Sequence, residues 1–166
     1  MEFELKPISS DAIPEALERA ERYRLLNEPW QAESICLDVL RIDAGNQSAA
    51  ITLLLALTDQ FGEGSTPARA REVLASIHGE YEQAYYSGII AERSARARIR
   101  QGHRGANVKA FQEFSDAMRC YEQAQMRRPP GNDDSILRWN TCARTLMRYP
   151  ELRPQPEERL EPVFDD

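Results

Sequence analysis

A chain of 166 residues, 42 % of them hydrophobic and 29 % charged, is long enough to form one domain with a substantial core. Its net charge of −6 argues against nucleic acid as the main partner. The three cysteines have neither CxxC nor Cys/His metal spacing, so we expect buried, reduced thiols and neither metal nor cofactor. The longest apolar run, residues 49–57, is too short to span a bilayer, and the N-terminus lacks the apolar stretch of a signal peptide. We therefore expect a cytoplasmic protein without membrane contact.

The first repeating unit follows an arm, residues 1–12, which shows no periodic pattern. Residues 13–46 predict two amphipathic helices, with a turn at 27–29 and a stop at Gly45. Pro14 and Pro29 suit the first turns of these helices. Neither helix can bury its apolar stripe alone, so we expect further helix pairs to stack on this one.

Five more helices are predicted along the rest of the chain. Asn46 is expected to cap a helix that is apolar on most sides, and Pro67 begins one that runs to His78. A long helix spans residues 80–101, another reaches about residue 126, and a seventh occupies about 134–149. No alternating pattern predicts a strand, so the fold class is all-α. The segment 151–166 carries six acids and three prolines, and we expect an extended or disordered tail.

Small residues recur at fixed places in these helix pairs. Each pair has an alanine or glycine in its first helix and an alanine followed four residues later by a larger apolar side chain in its second. These residues are Ala20, Ala32 and Cys36; Ala56, Ala70 and Leu74; and Gly88, Ala117 and Tyr121. The order and spacing resemble the tetratricopeptide repeat, although no copy has the tryptophan of the repeat signature. The resemblance implies an α-solenoid of antiparallel helix pairs, with repeats at about 13–46, 47–80 and 81–130 and a solubilising capping helix at 134–149.

The resemblance also implies a concave groove that is lined by the first helix of each pair and binds a peptide or a helix of another protein. Transferring the groove positions of the repeat to this sequence gives a lining that is mainly apolar with a charged rim. The predicted peptide-binding residues are Leu17, Glu21, Arg24, Leu53, Leu57, Phe61, Tyr85, Ile89 and Arg93. Several of these, Leu53 and Leu57 above all, could equally pack in the core. On this basis we expect a non-enzymatic adaptor or chaperone-like scaffold.

Basic side chains concentrate in the middle of the chain. Residues 81–128 carry nine basic and five acidic side chains, whereas residues 1–80 carry seven and fourteen. The basic strip consists of Arg96, Arg98, Arg100, His103 and Arg104. It is either a solvated helix end or a contact for an anionic partner. The Arg98–His103 spacing also resembles a motif of small all-helical ribonucleases, so a ribonuclease or RNA-binding protein is the alternative function. A third hypothesis is a homo-oligomer, in which the acidic tail of one copy binds this strip on another.

Overall fold

The computed structural model describes residues 3–103 and 105–154, and within these ranges the chain forms seven α-helices and no strand. The fold is therefore all-α, as the sequence predicts. The helices are α1 (Ile13–Leu25), α2 (Pro29–Ile42), α3 (Gln47–Asp59), α4 (Pro67–Leu74), α5 (Glu80–Gln101), α6 (Ala106–Gln125) and α7 (Asp134–Arg148). Two short 3₁₀ helices, Ser10–Ala12 and Pro150–Leu152, flank them.

Side-chain caps and first-turn prolines fix several helix starts. The Asn46 side chain accepts a hydrogen bond from the Ala49 amide at 2.9 Å, which satisfies one of the free N–H groups at the start of α3. Thr66 accepts a hydrogen bond from the Arg69 amide at 3.4 Å at the start of α4. The predicted end of α4 at His78 is wrong, because the helix stops at Leu74 and a turn carries the buried Ile77 into the core.

Each helix packs against the next one along the chain, and the odd-numbered helices also meet. Helix α1 contacts α3, and α3 contacts α5. The pairing of α5 with α6 is the most extensive in the molecule. The odd-numbered helices α1, α3 and α5 therefore form a continuous row, which is the arrangement that positions the site described below.

Two apolar clusters make up the core. The first joins α1 to α4 with one face of α5, and the second lies among α5, α6, α7 and the 3₁₀ helix at Pro150–Leu152. The small positions predicted from the sequence are buried in these clusters, including Ala20, Ala32, Ala70 and Ala117. Small side chains at these places let neighbouring helix backbones approach closely.

The tightest of these approaches is at Gly88 on α5. A Cβ atom at this position would lie 2.5 Å from Cε1 of the Tyr121 ring on α6. The ring occupies the space that any larger residue would need, and Tyr121 is fully buried. Gly88 thus sets the spacing of α5 and α6.

The beginning of the predicted tail corrects one expectation. Residues 150–152 form a 3₁₀ helix that packs on α6, and Leu152 is buried, so this part of the chain is neither extended nor disordered. The remainder of the predicted acidic tail, residues 155–166, lies outside the described residues.

Candidate functional site: an arginine pocket on the odd-numbered helices

The candidate site is an open pocket with a volume of about 370 Å³ on the row of odd-numbered helices. Apart from Asn27 in the turn after α1, every residue that lines it belongs to α1, α3, α5 or α7. We call it the arginine pocket, because five of its lining residues are Arg24, Arg93, Arg96, Arg100 and Arg138. The remaining lining residues include two carboxylates, Asp59 and Glu92, so the pocket carries a net charge of +3.

Asp59 connects three helices. Its Oδ2 accepts a hydrogen bond from Arg24 Nε at 2.8 Å, and its Oδ1 accepts one from the Arg93 guanidinium. Arg24 belongs to α1, Asp59 to α3 and Arg93 to α5. The three side chains are only one-fifth to one-quarter exposed, so this ion pairing is less weakened by solvent than a pair on an open surface.

Burial lowers the pKa of two arginines of the pocket. Burial, together with the charges of Arg138 and Arg24, lowers the pKa of Arg93 to about 10. Burial also lowers the pKa of Arg24. At neutral pH both remain protonated, but each would gain from a further anionic partner, because an opposite charge favours the charged form.

The floor of the pocket is a buried carboxylate network around Glu92. Only 1 % of the Glu92 side chain is exposed. Its Oε2 accepts a hydrogen bond from the Tyr121 hydroxyl at 2.7 Å, and its Oε1 accepts one from Arg96 Nε at 3.2 Å. Arg138 on α7 donates to both oxygens, at 3.4 and 3.5 Å. A buried carboxylate requires partners of this kind, because burial of an unpaired charge is costly.

The partners of Glu92 are held in the protonation states that the network needs. Burial, reinforced by the Glu92 carboxylate, raises the pKa of Tyr121, so its hydroxyl remains a donor. Burial would lower the pKa of Arg138, but Glu92, Tyr121 and Tyr85 outweigh it, and the pKa of Arg138 is raised. The network fixes two guanidinium groups along one wall of the pocket.

Arg100 is the most available cation of the pocket. It is exposed, and it donates to the Phe61 carbonyl at 3.4 Å. Within residues 3–103 and 105–154 it forms no ion pair with a carboxylate, in contrast to the other four arginines. An incoming anion can therefore bind Arg100 without displacing a carboxylate of the described residues.

The predicted groove residues fall into three groups. Arg24 and Arg93 line the arginine pocket. Leu17 and Glu21 lie on α1 outside it, and Tyr85 is half-buried, with its ring 5.6 Å from that of Tyr81. The remaining four are in the core with at most 4 % of their surface exposed, so they cannot line an open groove, and the expectation of an apolar lining is corrected. These are Leu53, Leu57, Phe61 and Ile89.

The described residues of the predicted basic strip make different contacts. Arg96 and Arg100 face the arginine pocket, whereas Arg98 donates to both carboxylate oxygens of Glu113 on α6 at 2.9 Å. His103 is exposed beyond the end of α5, and Arg104 lies outside the described residues. The engagement of Arg98 with Glu113 gives it a role in holding α5 to α6, which weakens the case for it as a phosphate-binding residue of a ribonuclease.

Sequence reasoning missed the contributions of Asp59 and α7. Asp59 occupies a place where the repeat signature has tyrosine, and this departure was the available signal. Helix α7 supplies Arg138 and Thr141 to the pocket, so it is more than a solubilising cap. Its Trp139 packs against the second core cluster and donates to Glu122 at 3.0 Å.

Metal sites and membrane-spanning helices are both absent from the described residues. No group of three His, Cys, Asp or Glu side chains in the described part of the chain could hold a metal ion. None of the helices within those ranges combines the length and the apolar character needed to cross a membrane. Comparison with protein-family models, with curated proteins and with solved structures finds no match to this chain.

Proposed function

We propose that this protein is a non-enzymatic adaptor that binds an acidic segment of another protein in the arginine pocket. The observation that carries the proposal is the pocket itself, in which four helices present five guanidinium groups around an open hollow. Guanidinium groups bind carboxylates through two parallel hydrogen bonds, so an acidic peptide is the ligand that such a lining favours.

The proposal includes a solenoid arrangement of the tetratricopeptide type. It is supported by the contacts of α1 with α3 and of α3 with α5, because these are the first helices of the predicted pairs. It is also supported by the origin of the pocket residues, since the first helices of such pairs line the concave surface of a solenoid. In this interpretation α7 acts as the first helix of an incomplete fourth pair.

The shape and polarity of the pocket favour a peptide over nucleic acid. None of the lining residues is aromatic, so bases have no ring on which to stack. Leu25, which lines the pocket, is 88 % exposed, and the next residue in the chain, Leu26, is also exposed. An acidic peptide with apolar flanking residues would contact both the arginines and this apolar edge.

A binding assay with matched variants tests the proposal. A fluorescein-labelled peptide of eight glutamates is titrated with the protein at low and at high salt, and the fluorescence anisotropy is recorded. We expect binding that weakens as salt is added, since the Debye length falls from about 30 Å at 0.01 M to about 3 Å at 1 M. Arg100→Gln should weaken binding about fivefold, which corresponds to the loss of about 1 kcal/mol from one partly exposed ion pair.

The matched control is Arg41→Gln, which removes the same charge from the exposed end of α2, outside the pocket. Equal weakening by Arg100→Gln and Arg41→Gln would show that only net charge matters and would refute the pocket. An RNA oligonucleotide is included as a second probe. Binding of RNA without binding of the acidic peptide would overturn the proposal in favour of the RNA-binding alternative.

A further inference from the structure

A second hollow adjoins the arginine pocket. It has a volume of about 440 Å³, and its apolar lining includes Ile99, Phe114, Tyr149 and Leu152. Ile99 and Tyr149 are 37 % and 42 % exposed. We call it the apolar hollow. It shares Arg96 and Arg100 with the arginine pocket, so one extended ligand can occupy both.

The described part of the chain ends two residues after the wall of this hollow. Glu151 and Leu152 form part of its wall, and the Glu151 carbonyl accepts a hydrogen bond from the Asn107 side chain at 3.4 Å. The segment that follows, residues 155–166, therefore begins three residues beyond a residue of the hollow. Twelve extended residues span up to about 40 Å, so this segment has ample length to cross the apolar hollow and enter the arginine pocket.

The composition of residues 155–166 matches these two surfaces. The segment QPEERLEPVFDD contains five acids and one arginine, a charge of −4 that is opposite in sign to the +3 of the arginine pocket. It also contains three apolar side chains, Leu160, Val163 and Phe164, which suit the exposed side chains of Ile99 and Tyr149. The arginine pocket favours acidic residues and the apolar hollow favours apolar residues, and the segment contains both.

We propose that residues 155–166 bind in the apolar hollow and the arginine pocket of the same molecule and compete there with the acidic partner. This inference rests on the proposed function, because it gives the arginine pocket an internal competitor. A ligand then binds only when it displaces the segment, and the observed affinity is lowered by the fraction of molecules in which the pocket is occupied.

The first experiment neutralises the segment in the full chain. Glu157→Gln, Glu158→Gln and Glu161→Gln are combined, and binding of the eight-glutamate peptide is compared with that of a control variant. The control, Glu4→Gln, Glu18→Gln and Glu72→Gln, changes the net charge by the same amount at exposed sites outside both hollows. We expect the segment variant to bind the peptide at least fivefold more tightly than the control. Equal affinities would overturn the inference and leave the proposed function standing.

The second experiment observes the contact without any added ligand. Phe164 is replaced by the photoreactive residue p-benzoylphenylalanine in the full chain, and the cross-linked peptides are identified by mass spectrometry. We expect cross-links to the parts of α5 and α7 that line the two hollows, and we expect Arg96→Glu with Arg100→Glu to remove them. Cross-links elsewhere would overturn the inference even if the acidic peptide bound to none of the variants.

Sedimentation of the same samples distinguishes the same molecule from a second copy. A segment bound within one molecule leaves the protein monomeric, and the cross-linked species keeps the mass of one chain at every protein concentration. A cross-linked dimer, or a mass that falls when the three glutamates are neutralised, would show that the segment binds another copy and would overturn the intramolecular assignment.

Discussion

Replacing Glu92 with glutamine should lower stability and raise affinity for an acidic ligand at the same time. The substitution keeps the size of the side chain but removes its charge and converts one acceptor oxygen into an NH₂ donor. In the structure both oxygens of Glu92 face donors, from Tyr121 on one side and from Arg96 and Arg138 on the other. An NH₂ group placed toward Arg96 and Arg138 faces only donors, and one placed toward Tyr121 leaves the buried Tyr121 hydroxyl without the acceptor it had.

The expected loss of stability depends on the burial of Glu92 and on the exposure of Arg96 and Arg138. A buried donor without an acceptor costs about 1–3 kcal/mol, and breaking a fully buried ion pair costs about 3–5 kcal/mol. Arg96 and Arg138 are 38 % and 32 % exposed, so water compensates part of their loss and the lower range applies. We expect Glu92→Gln to lower the free energy of unfolding by about 2–3 kcal/mol, or the Tm by roughly 4–12 °C.

Urea and thermal unfolding measure the stability change, and Glu113→Gln is the matched control. Glu113 also accepts hydrogen bonds from an arginine and a hydroxyl, Arg98 and Ser94, but it is 22 % exposed and Arg98 is 42 % exposed. Its substitution should cost less than about 1 kcal/mol. The reasoning is refuted if Glu92→Gln costs no more than Glu113→Gln, or if it weakens binding of the eight-glutamate peptide although the pocket has become more positive.

Two further predictions concern packing and pH. Gly88→Ala should destabilise the protein by about 1–2 kcal/mol in a thermal unfolding assay, because the clash with Tyr121 outweighs the gain in helix propensity. The control is Gly45→Ala, whose Cβ would have no neighbour nearer than 3.9 Å and which should be close to neutral in the same assay. Burial raises the pKa of Cys36 and of Cys142 from 9.0 to about 12. Between these pH values both thiols are therefore ionised in the unfolded chain but protonated in the folded protein. Stability should be unaffected by these thiols below about pH 9 and should then fall by about 1.4 kcal/mol per pH unit for each until about pH 12. Urea unfolding at pH 8 and pH 10 checks this, and replacing both cysteines with alanine should reduce the loss; an unchanged loss would contradict it.

Local sequence signals predicted the bounds of α5 correctly, but the end of α4 depends on a contact with another helix. The bounds predicted for α5 are those observed, because Gly79 and Gly102 on either side of it adopt positive φ values that end a helix. The prediction for α4 extended four residues too far. The Gln83 side chain donates to the Leu74 carbonyl at 2.7 Å and to the Ile77 carbonyl, which satisfies the end of α4 from another helix. A contact with a residue on the next helix leaves no mark on the local pattern of α4.

The sequence predicted some of the helices that line the candidate site, but it did not predict that the lining is mainly arginine. The repeat resemblance predicted that first helices would line it, and Arg24 and Arg93 do so. Helix α3 is apolar on most sides, so its sequence does not show which face turns to the core; the sequence left both the groove and the core open for Leu53 and Leu57, and both are buried. The pattern also gave no reason to expect Arg138, because α7 belongs to no predicted pair.

Under the proposed function, an acidic ligand that binds Arg24 and Arg93 must replace Asp59 as their partner. The two guanidinium groups that Asp59 holds, Arg24 and Arg93, are ones that an incoming carboxylate would seek, so each new bond is formed as an old one is released. The ion pairs given up are those that tie α1 and α5 to α3. If the pocket binds an acidic segment as proposed, binding would loosen the contacts of α1 and α5 with α3, and the distance between these helices would report whether the pocket is occupied.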